Sequence, residues 1–227
     1  MAKLLFRASL KRPKKPEKTL SKTYKPRSKV SAPNELLWAL IGVLLTIFGT
    51  FIEASFTNNP PWTWAEQGIH LQSLGVTYQI GAVLLVGCLG GKNAGALSQI
   101  AYLFLGLYWL PVFAKGGGID YIKEPTFGYL LGFVPGAWLC GFLAFRTRPR
   151  LESLAFSALG GLAVIHLVGL AYLVGLSYWN PEGSSAMPLE HLKEMAIEYS
   201  VEPLPGQLVI VCAVAVIAFI LRQILFY

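Results

Sequence analysis

Six apolar segments, separated by polar connections of different lengths, follow a polar start of 34 residues. They cover residues 36–56, 76–90, 94–113, 126–145, 152–179 and 207–227. An α-helix of about 20 residues is about 30 Å long, which matches the hydrocarbon core of a bilayer. The pattern therefore predicts an all-α integral membrane protein with six transmembrane helices, and a domain boundary between residues 34 and 35.

The second apolar segment, residues 76–90, is short for a membrane helix. Its fifteen residues would span only about 23 Å as a helix, so we expect residues 76–80 to include irregular backbone. Such backbone is tolerated at membrane depth only where protein or a cavity covers it. The segment contains the polar residues Thr77 and Gln79, so this pattern indicates a binding site there.

The third segment follows a predicted tight turn at residues 90–93 and combines small and polar residues on one face. Gly95, Gln99 and Tyr102 fall on the same side of a helix by their spacing of four and three residues. Small and polar side chains on one face of a membrane helix indicate contact with another helix or with a cavity. The sequence alone does not distinguish contact with another helix from contact with a cavity.

Two further patterns lie in the later segments. Gly128, Gly132 and Gly136 recur at four-residue steps, which predicts close packing of this helix against another. His166 is the only histidine within a predicted span. An ionisable side chain at membrane depth is a functional candidate, but a hydrogen bond to a neighbouring helix is the interpretation we favour.

The predicted connections on one side of the membrane are longer than those on the other. Residues 57–75 contain Pro60 and Pro61, which we expect to stop the first helix. They also contain Trp62 and Trp64, which we expect to act as interfacial anchors or as a lid over a pocket. The three consecutive glycines of residues 114–125 predict a turn. In the third connection, 180–202, a short surface helix is expected near its end.

Charge separates the two sides of the predicted bundle. The mean hydropathy is +0.53 and the net charge is +7, but 11 of the 19 Lys and Arg residues lie within the first 30 residues. In the six-helix topology, 16 basic residues lie on the side of the termini and 3 on the other. By the positive-inside rule, both termini are expected in the cytoplasm, and the basic balance indicates topology rather than nucleic-acid binding.

Residues 1–34 are expected to form a disordered, basic cytoplasmic tail. A topology signal is the favoured interpretation, and an anchor for anionic membrane lipid or an organelle transit segment are the alternatives. Residues 35–227 are expected to form the membrane domain.

Motifs for catalysis are missing from the sequence. It contains no Walker-type loop, HExxH, GxSxG or spaced metal ligands. We therefore predict neither enzymatic activity nor a cofactor or metal. The remaining class is a small membrane binding protein that needs partners or self-association to move a ligand.

Three ordered sequence runs resemble one family. TYQIGAVLLVGCLGG, GALSQIAYLFLGLYWLPVFAKGGG and PTFGYLLGFVPGAWLCGFL are similar to the second, third and fourth helices of the BioY family, the biotin-binding S components of energy-coupling factor (ECF) transporters. The likeness extends over residues 36–227. It implies an ECF S-component-like helical bundle in the plasma (inner) membrane.

The resemblance also implies a ligand, partners and a site. The ligand would be biotin, held in an outward-facing pocket roofed by the first outer loop, and the partners a transmembrane coupling protein and two ATPase subunits; a homo-oligomer is a further possibility. The residues carried over by motif match, together with the residue at the family's Asp position on the last helix, are Thr77, Gln79, Asn93, Gln99, Tyr102, Tyr129 and Gln207.

The last helix departs from the family pattern. Pro205 and Gly206 match, but Gln207 stands where the family usually has Asp and Ile210 where it usually has Lys. Loss of a charge-assisted bond to a ligand carboxylate costs about 1.5–3 kcal/mol. Either Lys115 or Lys123 replaces that lysine, or the ligand is another small amphipathic molecule. A membrane assembly protein with an empty cavity and a working basic tail is the remaining alternative.

Overall fold

The computed structural model describes residues 32–57, 60–178 and 189–225. The predicted tail up to residue 31, residues 58–59 of the first outer loop, residue 179 of the fifth predicted segment, residues 180–188 of the third connection and residues 226–227 lie outside the described residues. The elements in chain order are α1 (Ala32–Phe51), β1 (Glu53–Thr57), α2 (Trp64–Gln67), β2 (Leu71–Thr77), α3 (Gln79–Tyr108), α4 (Phe127–Arg146), α5 (Leu151–Tyr178), α6 (Leu189–Ala196) and α7 (Leu204–Leu225).

Five helical runs in the described part of the chain are long and apolar enough to cross a membrane: α1, α3, α4, α5 and the run that contains α7. The predicted fold class, an all-α integral membrane protein, is confirmed. Two of the six predicted spans form a single element, α3, which reverses direction at Gly91. That residue has a φ of 82°, a left-handed conformation that favours glycine.

The two arms of α3, residues 79–90 and 92–108, pack against each other as a hairpin. Gln79 Nε2 lies 2.9 Å from Tyr102 Oη. A Cβ placed on Gly95 would lie 3.3 Å from Gly87 Cα. The short second segment and the turn at residues 90–93 are therefore parts of one folded-back helix pair, and six apolar segments still fill the bundle.

The first outer loop differs from its prediction. α1 ends at Phe51 rather than at residue 56, before the two prolines, and β1 pairs antiparallel with β2, with Thr57 opposite Leu71. The irregular backbone expected near residues 76–80 is present as the end of β2. Its backbone polar groups bond to β1, which explains how extended chain is accommodated beside the helices.

Two other boundaries shift. α1 begins at Ala32, so residues 32–34 belong to the first helix and not to the tail. The second arm of α3 ends at Tyr108, five residues earlier than predicted. The short surface helix expected in the third connection is confirmed as α6, which continues into a π-helical turn, Ile197–Val201.

The glycine stripe on α4 packs against α5 as predicted. A Cβ on Gly132 would lie 2.8 Å from the carbonyl oxygen of Ile165, and one on Gly136 would lie 2.6 Å from Cγ1 of the same residue. A Cβ on Gly128 would lie 2.3 Å from Cβ of Tyr172. The missing side chains let the two helices approach closely.

The bundle has two ends with different packing. We call the end with the Gly91 turn and the α4–α5 connection the turn end, and the end with β1, β2 and residues 109–126 the strand end. At the turn end, a Cβ on Gly141 would lie 2.4 Å from the backbone nitrogen of Lys92. Arg222 of α7 donates to the carbonyl oxygen of Ala144 at 2.8 Å, so α4 and α7 are joined there.

Candidate functional site

A cavity of about 330 Å³ opens at the strand end, between β2, α3, α4 and the start of α7. This volume lies within the usual range for small-molecule sites. One side is apolar, with Ile80, Leu130 and Phe133. The polar side chains that line it are Thr77, Gln79, Lys115, Tyr121, Thr126, Tyr129, Tyr199 and Gln207.

Four of the seven residues predicted from the sequence line this cavity: Thr77, Gln79, Tyr129 and Gln207. They come from β2, α3, α4 and α7 respectively. The first outer loop contributes through β2, whereas its two tryptophans are not among the lining residues. The fold therefore brings residues that are far apart in the chain to one end of the bundle.

Tyr102 lies behind the cavity and supports Gln79. It is fully buried, and its hydroxyl donates to the carbonyl oxygen of Val112 at 3.0 Å. Because that bond uses the single hydroxyl proton, the Tyr102 oxygen accepts a hydrogen bond from Gln79 Nε2, 2.9 Å away. The side-chain carbonyl of Gln79 has no partner among the described residues and is available to the cavity.

Gln99 lies between α1 and α3 rather than at the cavity. It is fully buried, and its Nε2 donates to Thr46 Oγ1 at 3.1 Å and to Ser98 Oγ at 3.0 Å. Its Oε1 is buried without a partner in the described part of the chain. Of the two interpretations for the polar face of this helix, hydrogen bonding between helices is the one seen at Gln99.

Asn93 lies at the turn end, away from the other predicted site residues. Its Nδ2 donates to Glu35 Oε1 at 3.1 Å, which ties the α3 turn to the first turn of α1. The structure therefore does not bring Asn93 to the cavity, because residue 79 begins the first arm of α3 at the strand end, whereas residue 93 lies just after the Gly91 turn at the opposite end of the hairpin.

A hydrogen-bonded chain of four side chains forms the α7 side of the cavity. Gln207 Oε1 lies 2.7 Å from His166 Nε2, and His166 Nδ1 lies 3.1 Å from Ser200 Oγ. Ser200 Oγ in turn lies 2.6 Å from Tyr129 Oη. The predicted bond from His166 to a neighbouring helix is thus present, and it ends on a predicted site residue.

Ser200 has no signal in the sequence that marks it as part of this chain of bonds. It lies in the π-helical turn before α7 and is buried. Gly169, one turn after His166 on α5, makes room for Tyr129, because a Cβ there would lie 2.5 Å from the tyrosine ring. Sequence spacing alone does not reveal either relation.

Lys115 places a positive charge at the cavity. Its Nζ lies 3.1 Å from Glu124 Oε2, and this hydrogen bond raises the pKa of Lys115 above its ordinary value. The lysine is therefore protonated at neutral pH. Lys123, the other candidate cation, pairs with Asp120, is largely exposed, and does not line the cavity.

Ile210, which stands where the family usually has a lysine, packs against a neighbouring helix. It is 3% exposed, and its Cγ2 would lie 2.8 Å from a Cβ on Gly81. This close contact joins α7 to α3 just beyond Gln207 and Gln79. The position serves helix packing in this chain.

Comparison with known proteins relates the chain to one family. Residues 27–226 match the BioY family. An uncharacterized 21.2 kDa protein from Cyanophora paradoxa is 29% identical over 192 residues, which cover 84% of this chain and 95% of that protein. A probable biotin transporter BioY from Lysinibacillus sphaericus is 43% identical over 105 residues, which cover 45% of this chain and 54% of that protein.

A solved structure has the same fold. The crystal structure of the S-component for biotin from an ECF-type ABC transporter aligns with a TM-score of 0.60 at 22% sequence identity, and the alignment covers 86% of this chain and 95% of that chain. The fold and the family match over 200 residues agree with each other. The chain therefore belongs to the BioY family.

Proposed function

We propose that this protein is the biotin-binding S subunit of an ECF-type transporter. The observation that carries the proposal is the strand-end cavity, which lies in a chain of the BioY family whose relatives include named biotin transporters. The cavity combines amide and hydroxyl groups, an apolar wall and one lysine. Biotin has matching parts: a ureido ring, an aliphatic chain and a carboxylate.

The lining supports an assignment of roles. Gln79 and Gln207 bind the ureido ring, because amides supply both hydrogen-bond donors and acceptors. Thr77 and Tyr129 complete the polar side. The apolar wall contacts the aliphatic chain of the ligand.

Lys115 binds the ligand carboxylate in this proposal. It supplies the charge that Ile210, packed against Gly81, does not. Its pairing with Glu124 holds the ammonium group at the cavity before the ligand arrives. A ligand carboxylate then shares this cation with Glu124 or replaces it.

Transport requires partners. The sequence has no nucleotide-binding motif, so ATP hydrolysis comes from two ATPase subunits joined through a transmembrane coupling protein. The protein resides in the plasma membrane. The six-helix topology predicted from the sequence has 16 basic residues on the side of the termini and 3 on the other, which supports cytoplasmic termini and a cavity that opens outward.

Uptake of radiolabelled biotin tests this function. The chain is expressed in biotin-auxotrophic cells without their own biotin uptake, with and without an ECF coupling module. We expect uptake at nanomolar biotin that increases when the module is present. Uptake no greater than in cells with an empty vector, while the protein is folded in the membrane, would contradict the proposal. If the protein instead binds another amphipathic compound at one molecule per chain, that compound and not biotin is its ligand.

A further inference from the structure

The two cavity glutamines are held in opposite orientations by the groups behind them. Gln79 bonds through its amide nitrogen, to Tyr102 at 2.9 Å. Gln207 bonds through its amide oxygen, to His166 at 2.7 Å. Gln79 therefore has its oxygen available to the cavity, and Gln207 has its NH₂ group available.

The direction of each bond follows from which atoms face each other, because a carbonyl oxygen can only accept and an amide NH₂ group can only donate. On the α3 side, the Val112 carbonyl accepts only, so Tyr102 donates to it and accepts from Gln79. On the α7 side, Gln207 Oε1 accepts only, so His166 carries its proton on Nε2. In that tautomer Nδ1 accepts from the Ser200 hydroxyl, and Ser200 accepts from Tyr129.

Both amides are well placed to act on one ligand. They line the same cavity, and the helices that carry them touch two and three residues further on, where Gly81 admits Ile210. The free Gln207 nitrogen has no partner among the described residues. With His166 protonated on Nε2, rotation of the Gln207 amide by half a turn would place NH₂ against that N–H and break the bond.

We propose that Gln207 and Gln79 form a donor–acceptor pair that recognises the polarity of a cyclic urea, and that His166 is a positioning residue that fixes the donor side. Gln207 donates to the urea carbonyl, and Gln79 accepts from a urea N–H. This inference rests on the proposed function, in which both amides bind the ureido ring, and adds which amide donates and which accepts.

Matched ligands test the donor side. Biotin and 2-iminobiotin share the carboxylate and aliphatic chain, but the protonated guanidinium of 2-iminobiotin replaces the carbonyl acceptor with N–H donors. Calorimetry on the purified full chain at pH 7.5 should show that wild-type protein binds biotin at least tenfold more tightly than 2-iminobiotin, which defines the ratio of affinities used below. Gln207→Glu replaces NH₂ with an acceptor, so the ratio of affinities should fall at least tenfold. Gln72→Glu, on exposed β2 surface outside the cavity, should keep the wild-type ratio.

Two uncharged variants of His166 test the positioning role. The His166→Gln side chain places an amide near the Nε2 position and can still donate to Gln207, so biotin affinity should stay within about threefold of wild type. His166→Asn reaches only the Nδ1 position, so Gln207 is free to rotate and the ratio of affinities should fall about tenfold. ¹⁵N NMR of labelled histidine should show the Nε2-protonated tautomer of His166.

The outcomes separate the two proposals. If wild-type protein binds neither ligand, the proposed function fails. If it binds biotin but Gln207→Glu leaves the ratio unchanged, or if His166 carries its proton on Nδ1, the donor–acceptor inference fails while biotin binding stands. Equal effects of His166→Gln and His166→Asn on the ratio would remove His166 as the positioning residue.

Discussion

The two ends of the bundle use glycine and polar residues in different ways. At the turn end, backbone meets backbone: a Cβ on Gly141 would lie within 2.4–2.7 Å of the main chain of Gly91 and Lys92. The strand end has a contact of this kind too, since a Cβ on Gly206 would lie 2.5 Å from the carbonyl oxygen of Leu74, but there a chain of bonded side chains, from Tyr129 to Gln207, also lines the cavity. The difference teaches that close backbone packing joins the helices at the turn end, while the strand end combines such packing with a cavity whose polar side chains are fixed by hydrogen bonds.

The largest expected effect comes from breaking the turn end. Gly141→Ala should lower the free energy of unfolding by about 3 kcal/mol, the upper part of the range for overpacked sites, because the new methyl group meets rigid backbone. Gly175→Ala is the matched control, since nothing lies within 4 Å of its Cβ position; it should be neutral or stabilising by up to about 1 kcal/mol. Thermal unfolding in detergent measures both, and equal melting temperatures would contradict the contrast between the ends.

A charge change at the strand end should affect binding and not folding. Lys115→Met should weaken biotin binding about ten- to hundredfold, since it removes a charge-assisted bond worth about 1.5–3 kcal/mol. Lys123→Met should bind like wild type, because Lys123 pairs with Asp120 on the exposed surface. Calorimetry measures the biotin affinity of both variants. If Lys115→Met and Lys123→Met bind biotin equally well, Lys115 is not part of the site.

A smaller effect is expected from the support behind Gln79. Tyr102→Phe removes the hydroxyl that accepts from Gln79 and should weaken biotin binding about three- to tenfold, the value of one ordinary hydrogen bond. Tyr108→Phe changes an exposed tyrosine on the same helix arm and should have no effect. If Tyr102→Phe lowers the melting temperature but leaves the affinity unchanged, Tyr102 supports the fold alone.

The smallest effect is expected from the basic tail. Deletion of residues 1–26, which precede the family match, should leave biotin affinity unchanged in purified protein. The same deletion tests the alternative of an assembly protein that works through its tail. Loss of activity on deletion, together with normal activity in the Lys115→Met variant, would favour that alternative.

The helices could be predicted from the sequence because apolar length is a local property. The turn at residues 90–93 and the glycine stripe on α4 follow from local spacing as well, and both are present. The β1–β2 pair was missed because it joins segments more than a dozen residues apart. The end of its second strand is also apolar, so the hydropathy pattern assigns it to the helix that follows.

The site was predicted in part. Helical spacing places Gln99 and Tyr102 on one face, but it does not distinguish a residue that lines a cavity from one that packs behind it. Tyr102 supports the lining, and Gln99 bonds to α1. Asn93 belongs to the same motif run, yet the hairpin carries it to the turn end. Ser200 was missed because its role depends on three-dimensional contact with Tyr129 and His166.

Direct binding of biotin to the purified wild-type chain tests the central claim most directly. Isothermal titration in detergent should show saturable binding of one biotin per chain, with submicromolar affinity. In a separate radioligand assay, unlabelled biotin should compete with labelled biotin for the same site. A folded protein, with a cooperative thermal transition, that gives no saturable heat and retains no labelled biotin would contradict the account.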